Sequence, residues 1–474
     1  MEIEQLHNAN SPQKLSLPAK ASVWYTASAI LERGGSLIFT PIFTRILTAE
    51  EFGIYPLYLS WMGIFTVLCT LEIGGAIVYR ALTRFQDADE FFSSALGLLA
   101  VSALSFTTLY IIFKSTINAI TGLSTALTLL LIIQVFLTGI QGIYLCGCRY
   151  VYRYRKVAAI NLFSAIASPL LTLLLIKLTP IRAEARIVAP LIVCTATAIP
   201  ILVGMLKKCG RLFSPEIWKY LIRLAIPQLP HFISATLSVQ LGRIIVGRSF
   251  GQSELAKYSV AFSIGFLLSV ISAPIVSALC PWINRKLMRG EIVIINTVAS
   301  RIFSLFSILT LILLCISPEI MALLAPTEYS EALFAIFPIA VSIPFSFLSS
   351  VIHTVQTYYE RTYLNTASSV ATALITLMLN LSLTLRLGYK SAAAIILIAS
   401  ITQLGFSMLT LRGSSKTRFF PLSIFARSVC LMLLTAPLIF LFRDIRATRV
   451  LLSLALLISL LPRTEEYRAL IRER

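Results

Sequence analysis

Arg45-Ile46-Leu47-Thr48-Ala49-Glu50-Glu51-Phe52-Gly53-Ile54-Tyr55 has a counterpart later in the chain, Arg248-Ser249-Phe250-Gly251-Gln252-Ser253-Glu254-Leu255-Ala256-Lys257-Tyr258. Both read Arg-x5-Glu-x3-Tyr, 203 residues apart, and each sits between two long apolar segments. A polar linker repeated at the same place in two hydrophobic hairpins points to a membrane protein made of two related halves, an architecture common among transporters.

The rest of the chain fits that reading. Of its 474 residues 57% are hydrophobic and 13% charged, and the mean hydropathy is +0.86, far too apolar for a soluble domain. The net charge of +19 would suggest nucleic acid in a soluble protein. Here the basic residues lie mainly in short loops between apolar runs, where they set topology. Basic residues alternate with aromatics only in one short loop, 149–156, between two apolar runs, which is not the extended patch a nucleic-acid surface needs, so nucleic acid is not an expected partner. All but Cys209 of the eight cysteines fall within or at the end of an apolar segment and read as small core residues. Cys146-x-Cys148 lacks zinc-site spacing, and no metal or cofactor is expected. The first apolar run, starting near Ala21, carries Glu32 and Arg33 and has no clear cleavage site, so it reads as a retained span.

Runs of roughly 20 apolar residues, enough to cross a bilayer, occur at about 21–44, 54–79, 91–113, 123–147, 157–178, 187–206, 221–247, 255–282, 292–316, 331–358, 363–385, 391–411, 422–442 and 447–461. The expected fold is an all-α polytopic membrane protein of about fourteen helices. With the N-terminus inside, 24 of the 40 Lys and Arg fall in inner segments, 12 in outer ones and the other four within spans. That bias places both termini in the cytoplasm. The two cassettes follow spans one and seven, an even separation, so the halves are parallel repeats. The expected domains are a cytoplasmic tail at 1–20, a six-helix lobe at 21–206, a cytoplasmic linker at 207–220, a second six-helix lobe at 221–411, and two extra helices with a tail at 412–474.

The stretch Phe43 to Tyr55 resembles the first hairpin of bacterial polysaccharide transporters, the Wzx-type O-antigen flippases of the multidrug/oligosaccharidyl-lipid/polysaccharide exporter superfamily. Ala225-Ile226-Pro227, then Gly242-Arg243, then Gly251 to Tyr258, is similar to the start of their second half. Ala256 departs from the pattern where the first copy has Gly53, so the second turn is expected to be built differently. The resemblance implies two six-helix lobes alternating between inward-open and outward-open states in the bacterial inner membrane. It implies a substrate of an oligosaccharide on an isoprenoid diphosphate, moved from the cytoplasmic to the periplasmic leaflet for surface polysaccharide such as lipopolysaccharide O-antigen. Membrane lipids, a polysaccharide polymerase and chain-length machinery are the partners it brings with it. A multidrug or metabolite antiporter of the same superfamily and a peptidoglycan-precursor flippase are the alternatives.

Charges inside a bilayer cost several kcal/mol unless they face a cavity or a partner. Glu32 and Arg33 lie midway along span one, Glu72 in span two, Arg243 in span seven and Arg301 in span nine. The 203-residue offset carries Arg33 to position 236, and Arg243 lies seven residues, close to two helical turns, beyond it. The two arginines therefore share a face of paired helices. Arg33, Arg243 and Arg301 are candidate substrate contacts, because a guanidinium offers a fork of donors matched to phosphate oxygens. The other reading pairs them internally with Glu32 or Glu72 to fix packing. Those two glutamates are candidates for coupling-ion binding or for counter-ions. Arg45 with Glu51 and Arg248 with Glu254 are either a periplasmic gate of ion pairs or a stiff hairpin, with Tyr55 and Tyr258 anchored at the membrane interface. His231 and His353 read as satisfied packing residues or as a relay. The loop around Tyr150 and Tyr154, with Arg149, Arg153 and Arg155, is expected to rest on lipid headgroups. There is no phosphate-binding loop, no His-Glu-x-x-His and no extended soluble domain, so the chain is not expected to be an enzyme. A polymerase or ligase would need a long outer loop, which is missing here.

Overall fold

The structure, a computed structural model, describes residues 24, 35, 37–85, 87–151, 153–207, 210–414, 419–442, 445, 448, 449 and 451. Among the described residues every regular element is a helix. The first half runs α1 (Leu37–Ile46), α2 (Ala49–Thr70), α3 (Gly75–Arg84), α4 (Ala88–Ile112), α5 (Lys114–Thr121), α6 (Thr125–Tyr150), α7 (Tyr154–Leu178) and α8 (Ala185–Lys207). Next come α9 (Pro215–Ala225), a 3-10 turn at Ile226–Gln228, α10 (Leu229–Ser249), α11 (Gln252–Gly265), α12 (Ser269–Met288) and α13 (Ile292–Leu324). A second 3-10 turn at Thr327–Ala332 leads to α14 (Leu333–Tyr358), α15 (Thr362–Leu379), a π-helical stretch at Asn380–Thr384, α16 (Leu385–Leu387), α17 (Tyr389–Ser414) and α18 (Leu422–Leu441).

Among the described residues ten helical segments are long and apolar enough to cross a membrane, and the pair α11 and α12, bent by 44°, makes eleven. In order these are the expected spans two to twelve. Span one is described only from α1 onward, span thirteen is α18, and span fourteen lies outside the described residues, so fourteen is not reached among them. The second span also differs from its expected 54–79. Its helix starts at Ala49 and stops at Thr70, where Leu71 and Glu72 take left-handed φ values of 52° and 49°. Such a conformation is costly for side chains other than glycine and marks a break held by its surroundings.

Hydrophobic burial divides the molecule unevenly. One continuous cluster runs from Phe43, Phe52 and Tyr58 of the first half to Tyr258, Phe306 and Ile336 of the second. A separate cluster, from Ile73 to Ala225, belongs to the first half alone. Apolar packing therefore crosses between the lobes at the end carrying the two cassettes, while the second cluster joins α3, α4, α6, α8 and α9 within one lobe. Helix α9 explains part of this pattern. Ile217, Leu221 and Ala225 recur every four residues and are buried, so one face packs on α3 and α4. Trp218 Nε1 also donates to the Ser94 carbonyl at 3.0 Å. The first lobe's core thus reaches Ala225, past the linker expected at 207–220. The turn at Ile226–Gln228, which contains Pro227 and is followed by Pro230, joins this lobe to α10 of the other. Prolines cannot supply the missing helical donors there.

The lobes meet most closely where α2 packs on α10 and α11. A Cβ placed on Gly53 would lie 2.0 Å from the Gln252 carbonyl oxygen, so backbone meets backbone at this point. Gly53→Ala should lower the melting temperature of the detergent-solubilised protein, consistent with an overpacking cost of about 1–3 kcal/mol. Gly142→Ala, on a helical residue with nothing within 4 Å of its missing Cβ, should be neutral or slightly stabilising in the same assay.

Candidate functional site

The cassette end is held by groups that cross the seam. Arg45 closes α1, donating through Nη1 to Pro41 O at 2.9 Å and through Nη2 to Leu323 O at 3.1 Å in the opposite lobe. Arg248 closes α10 and donates through Nη2 to Ala119 O, again in the opposite lobe. Both acceptors lie in the last turn of a helix, α13 and α5, where carbonyls lack intrahelical donors and the helix dipole favours a cation. The 203-residue offset carries Ala119 to position 322, next to Leu323. The two arginines therefore form a reciprocal clasp related by the repeat. Thr44 adds a buried crossing bond, its hydroxyl reaching Leu324 O at 2.7 Å.

The cassette glutamates have other partners. Glu51 closes a capping box, accepting from Thr48 N at 2.8 Å while its own N–H donates to Thr48 Oγ1 at 3.3 Å, and it pairs with Arg182 at 3.5 Å. Glu254 pairs with Lys257 at 3.0 Å, and Lys257 reaches Glu331 at 2.9 Å. Of the two readings, Arg45 and Arg248 do not form the ion pairs with Glu51 and Glu254 that a gate would use; they make arginine-to-carbonyl bonds across the seam. The reason is geometric: a side chain at the end of one helix points at the adjacent helix terminus more readily than along its own hairpin. The second turn does differ from the first, though at another position than expected: Gly251, with φ 91°, stands where the first copy has Thr48. The tyrosines are not interfacial. Tyr258 is 0% exposed, and Tyr55 lies under Arg186.

Arg186, one of the twelve outer basic residues, is a central residue of the first cassette. Its guanidinium sits 4.1 Å from the Phe52 ring centroid, 4.6 Å from Tyr55 and 5.1 Å from Phe43, and Nη1 donates to Phe52 O at 3.2 Å. Arg182, one helical turn earlier, donates to Ile46 O. Two arginines four residues apart, together with an aromatic-rich first cassette, are the sequence signal for this arrangement.

Deeper along the seam, Gly63 of α2 lets Gln240 and Thr236 of α10 approach, with the nearest atoms 3.5 Å from its missing Cβ. Arg243 follows on α10. Its guanidinium stacks 3.6 Å from the Phe262 ring centroid on α11. Nη1 lies 3.5 Å from Gln240 Oε1, the outer limit of a hydrogen bond, and Nε is buried with no acceptor. Among the described residues no carboxylate pairs with Arg243. The buried Tyr258 hydroxyl is close by, 3.6 Å from the missing Cβ of Gly242, and it too has no partner. On the same side Asn380 begins the π-helical stretch of α15. An arginine with an unused donor beside a seam can take an anion.

The other candidates are placed differently. Glu32 and Arg33 lie outside the described residues. Arg301 is on α13, which packs against α14 and α18 rather than along α2. Glu72 occupies the left-handed break after α2, where its N–H lies 3.3 Å from Thr70 Oγ1, and no Lys or Arg among the described residues pairs with its carboxylate. His231 and His353, 122 residues apart, come together with their ring centroids at 5.8 Å. Arg153 and Tyr150 of the loop after α6 help line a cavity of about 680 Å³ inside the first lobe, at the end away from the cassettes. That loop is therefore a cavity wall and not solely a headgroup contact.

The family described as "Polysaccharide biosynthesis protein" matches residues 19–286. The fold is similar to that of the lipid II flippase MurJ in an inward closed conformation, with a TM-score of 0.70 at 14% identity, covering 95% of this chain and 99% of that one. It is also similar to an inward-facing multidrug resistance MATE family transporter of the MOP superfamily, with a TM-score of 0.63 at 14% identity over 83% and 96% of the two chains. A MOP superfamily transporter from Pyrococcus furiosus gives 0.56 at 15% identity over 84% and 97%. At such identities the likeness establishes the fold alone, an all-helical multi-pass one. No curated protein sequence matches the chain.

The clasp predicts a graded effect. In a cysteine-free background carrying Ala49→Cys, Arg45→Gln or Arg248→Gln should each raise labelling by a membrane-impermeant maleimide, by up to about fivefold for a hydrogen bond worth about 1 kcal/mol. The double variant should exceed either single one.

Proposed function

The chain belongs to the polysaccharide biosynthesis protein family, and from that premise we propose that it flips an isoprenoid-diphosphate-linked oligosaccharide, the repeat unit of a surface polysaccharide such as O-antigen, between leaflets by alternating access. The direction is cytoplasmic to periplasmic, in a bacterial inner membrane with both termini inside and the cassette end facing the periplasm. The observation that carries this reading is Arg243, stacked on Phe262 with its Nε unused and no carboxylate beside it among the described residues. A diphosphate leaving water needs fixed positive charge, and a guanidinium supplies it with directional donors. The lipid tail stays in the bilayer while the headgroup passes along the seam. The cassette end, closed by the clasp of Arg45 and Arg248, is the gate that must part to release the headgroup outside.

A peptidoglycan-precursor flippase is the second reading. It rests on the same arginine and on the likeness to MurJ in fold, and it differs only in the glycan. A cationic drug would instead favour a carboxylate at the position Arg243 holds. The chain works without chemistry on its cargo, and its energy comes from a gradient or from consumption of the flipped product by a polymerase and its chain-length partners.

A strain lacking the protein should accumulate undecaprenyl-linked oligosaccharide in the inner leaflet and lose surface glycan. Normal surface glycan, in a strain with no second flippase, would overturn the proposal. In complementation Arg243→Ala should reduce surface glycan about tenfold or more, as expected from losing a charge-assisted hydrogen bond of about 1.5–3 kcal/mol. Arg243→Lys should restore part of it, since the charge returns without the fork.

A further inference from the structure

Inside the second lobe, side chains from four helices form one polar chain. His231 Nδ1 on α10 lies 2.8 Å from Ser369 Oγ on α15. Gln403 Nε2 on α17 lies 3.4 Å from Ser369 Oγ and 3.1 Å from His353 Nε2 on α14. His353 Nε2 is also 3.1 Å from Ser407 Oγ. Asn365 adds a bond from its amide to the His353 carbonyl at 3.3 Å. Packing alone does not require two imidazoles, one amide and two hydroxyls in sequence.

The hydrogen-bond polarity of this chain admits two consistent states. In the first, the Gln403 amide donates to His353 Nε2 and Ser369 Oγ, and the Ser369 hydroxyl donates to His231 Nδ1. Both imidazoles are neutral. In the second, His231 carries one added proton and donates from Nδ1 to Ser369. Ser369 then donates to Gln403 Oε1, the amide having turned over, and His353 donates to the same oxygen in its Nε2–H form. The states differ by one proton and one positive charge. Rings 5.8 Å apart in a part-buried site repel a second charge, which limits the site to one proton.

Few charges compete. Next to the histidines, α15 presents Asn365 and Ser369, and α17 presents Gln403 and Ser407. Cys280 of α12 bonds to Thr354 of α14, and Arg285 and Lys286 lie at the far end of α12. Glu254, Lys257 and Tyr258 of α11 lie at the cassette end, and Lys390 and Arg412 lie near the two ends of α17. Helix α13 carries Arg301, α18 carries Cys430, and α2, packed on α10, is followed by Glu72. The two imidazoles, 5.8 Å apart, act on each other's charge.

We propose that His231 and His353, linked through Ser369 and Gln403, are a single-proton binding site that couples a proton gradient to movement of α10. His231 stands two residues into α10, directly after the Ile226–Gln228 joint between the lobes, and Arg243 is twelve residues further along the same helix. A reversal of polarity at the root of α10 therefore acts on the element that carries the substrate arginine. The coupling role rests on the flippase reading above; proton binding does not.

The chain has three histidines, which makes a direct test available. Full-length protein with ring-15N-labelled histidine, reconstituted in lipid nanodiscs, is titrated by NMR and compared with His231→Gln and His353→Gln. The expected result is uptake of one proton shared by His231 and His353, centred on His231, with His353 changing tautomer over the same pH range and His353→Gln moving the His231 midpoint. Two independent single-site titrations, or imidazoles that stay neutral wherever the protein remains folded, would overturn the site. In proteoliposomes His231→Gln should cut pH-gradient-driven flipping of lipid-linked oligosaccharide about tenfold, within the usual range of coupling free energies. Equal gradient dependence in wild type and variant would overturn the coupling role. The titration needs no substrate, so failure of the flippase reading and failure of the proton site are separate outcomes.

Discussion

The contact of α2 with α11 at Gly53 depends on a side chain that is not there. With hydrogen in place of Cβ, the α2 backbone comes against the Gln252 carbonyl, and the two lobes share one apolar cluster at that end. Once the helices are that close, Arg45 and Arg248 can reach helix termini in the opposite lobe, and Thr44 can cross to Leu324. The clasp is a consequence of the close approach. Exposed arginine-to-carbonyl bonds are individually weak, which suits contacts that must be broken and remade.

The repeat made much of this architecture legible. The equal spacing of the cassettes anticipated two parallel halves, and hydropathy located spans two to twelve in order. Edges were less visible. Nothing in the composition of residues 54–79 announces that α2 stops at Thr70, because left-handed backbone at Leu71 and Glu72 is imposed by surroundings that a local pattern does not contain. The partners of the cassette residues were hidden for a related reason. A repeat shows which residues are equivalent, but not that each arginine bonds outside its own half. Arg186 was hidden because a loop cation and a cation caged by three rings look the same in sequence. The two histidines were identified singly, and their meeting depends on how α10, α14, α15 and α17 pack.

Polar groups in this bundle fall into two kinds. Many buried Ser and Thr hydroxyls, such as Ser307, Thr310, Thr372 and Thr376, donate to the carbonyl four residues back and need nothing from outside. Arg243 and Tyr258 are not closed in this way; each keeps a buried polar atom without a partner at the seam. Unmet hydrogen-bonding capacity inside a bilayer costs free energy, and a passing anion would relieve that cost at Arg243.

The two cassette turns are alike in outline and unequal in stiffness. Thr48 and Glu51 lock the start of α2 with a reciprocal cap, a feature worth about 1 kcal/mol. The matching corner before α11 rests on Gly251, whose φ of 91° reflects freedom more than restraint. A seam with one braced edge and one pliant edge does not part evenly. Separating the corner before α11 breaks no side-chain cap, whereas separating the start of α2 from Thr48 would forfeit two hydrogen bonds, so the two edges of the seam differ in what holds them.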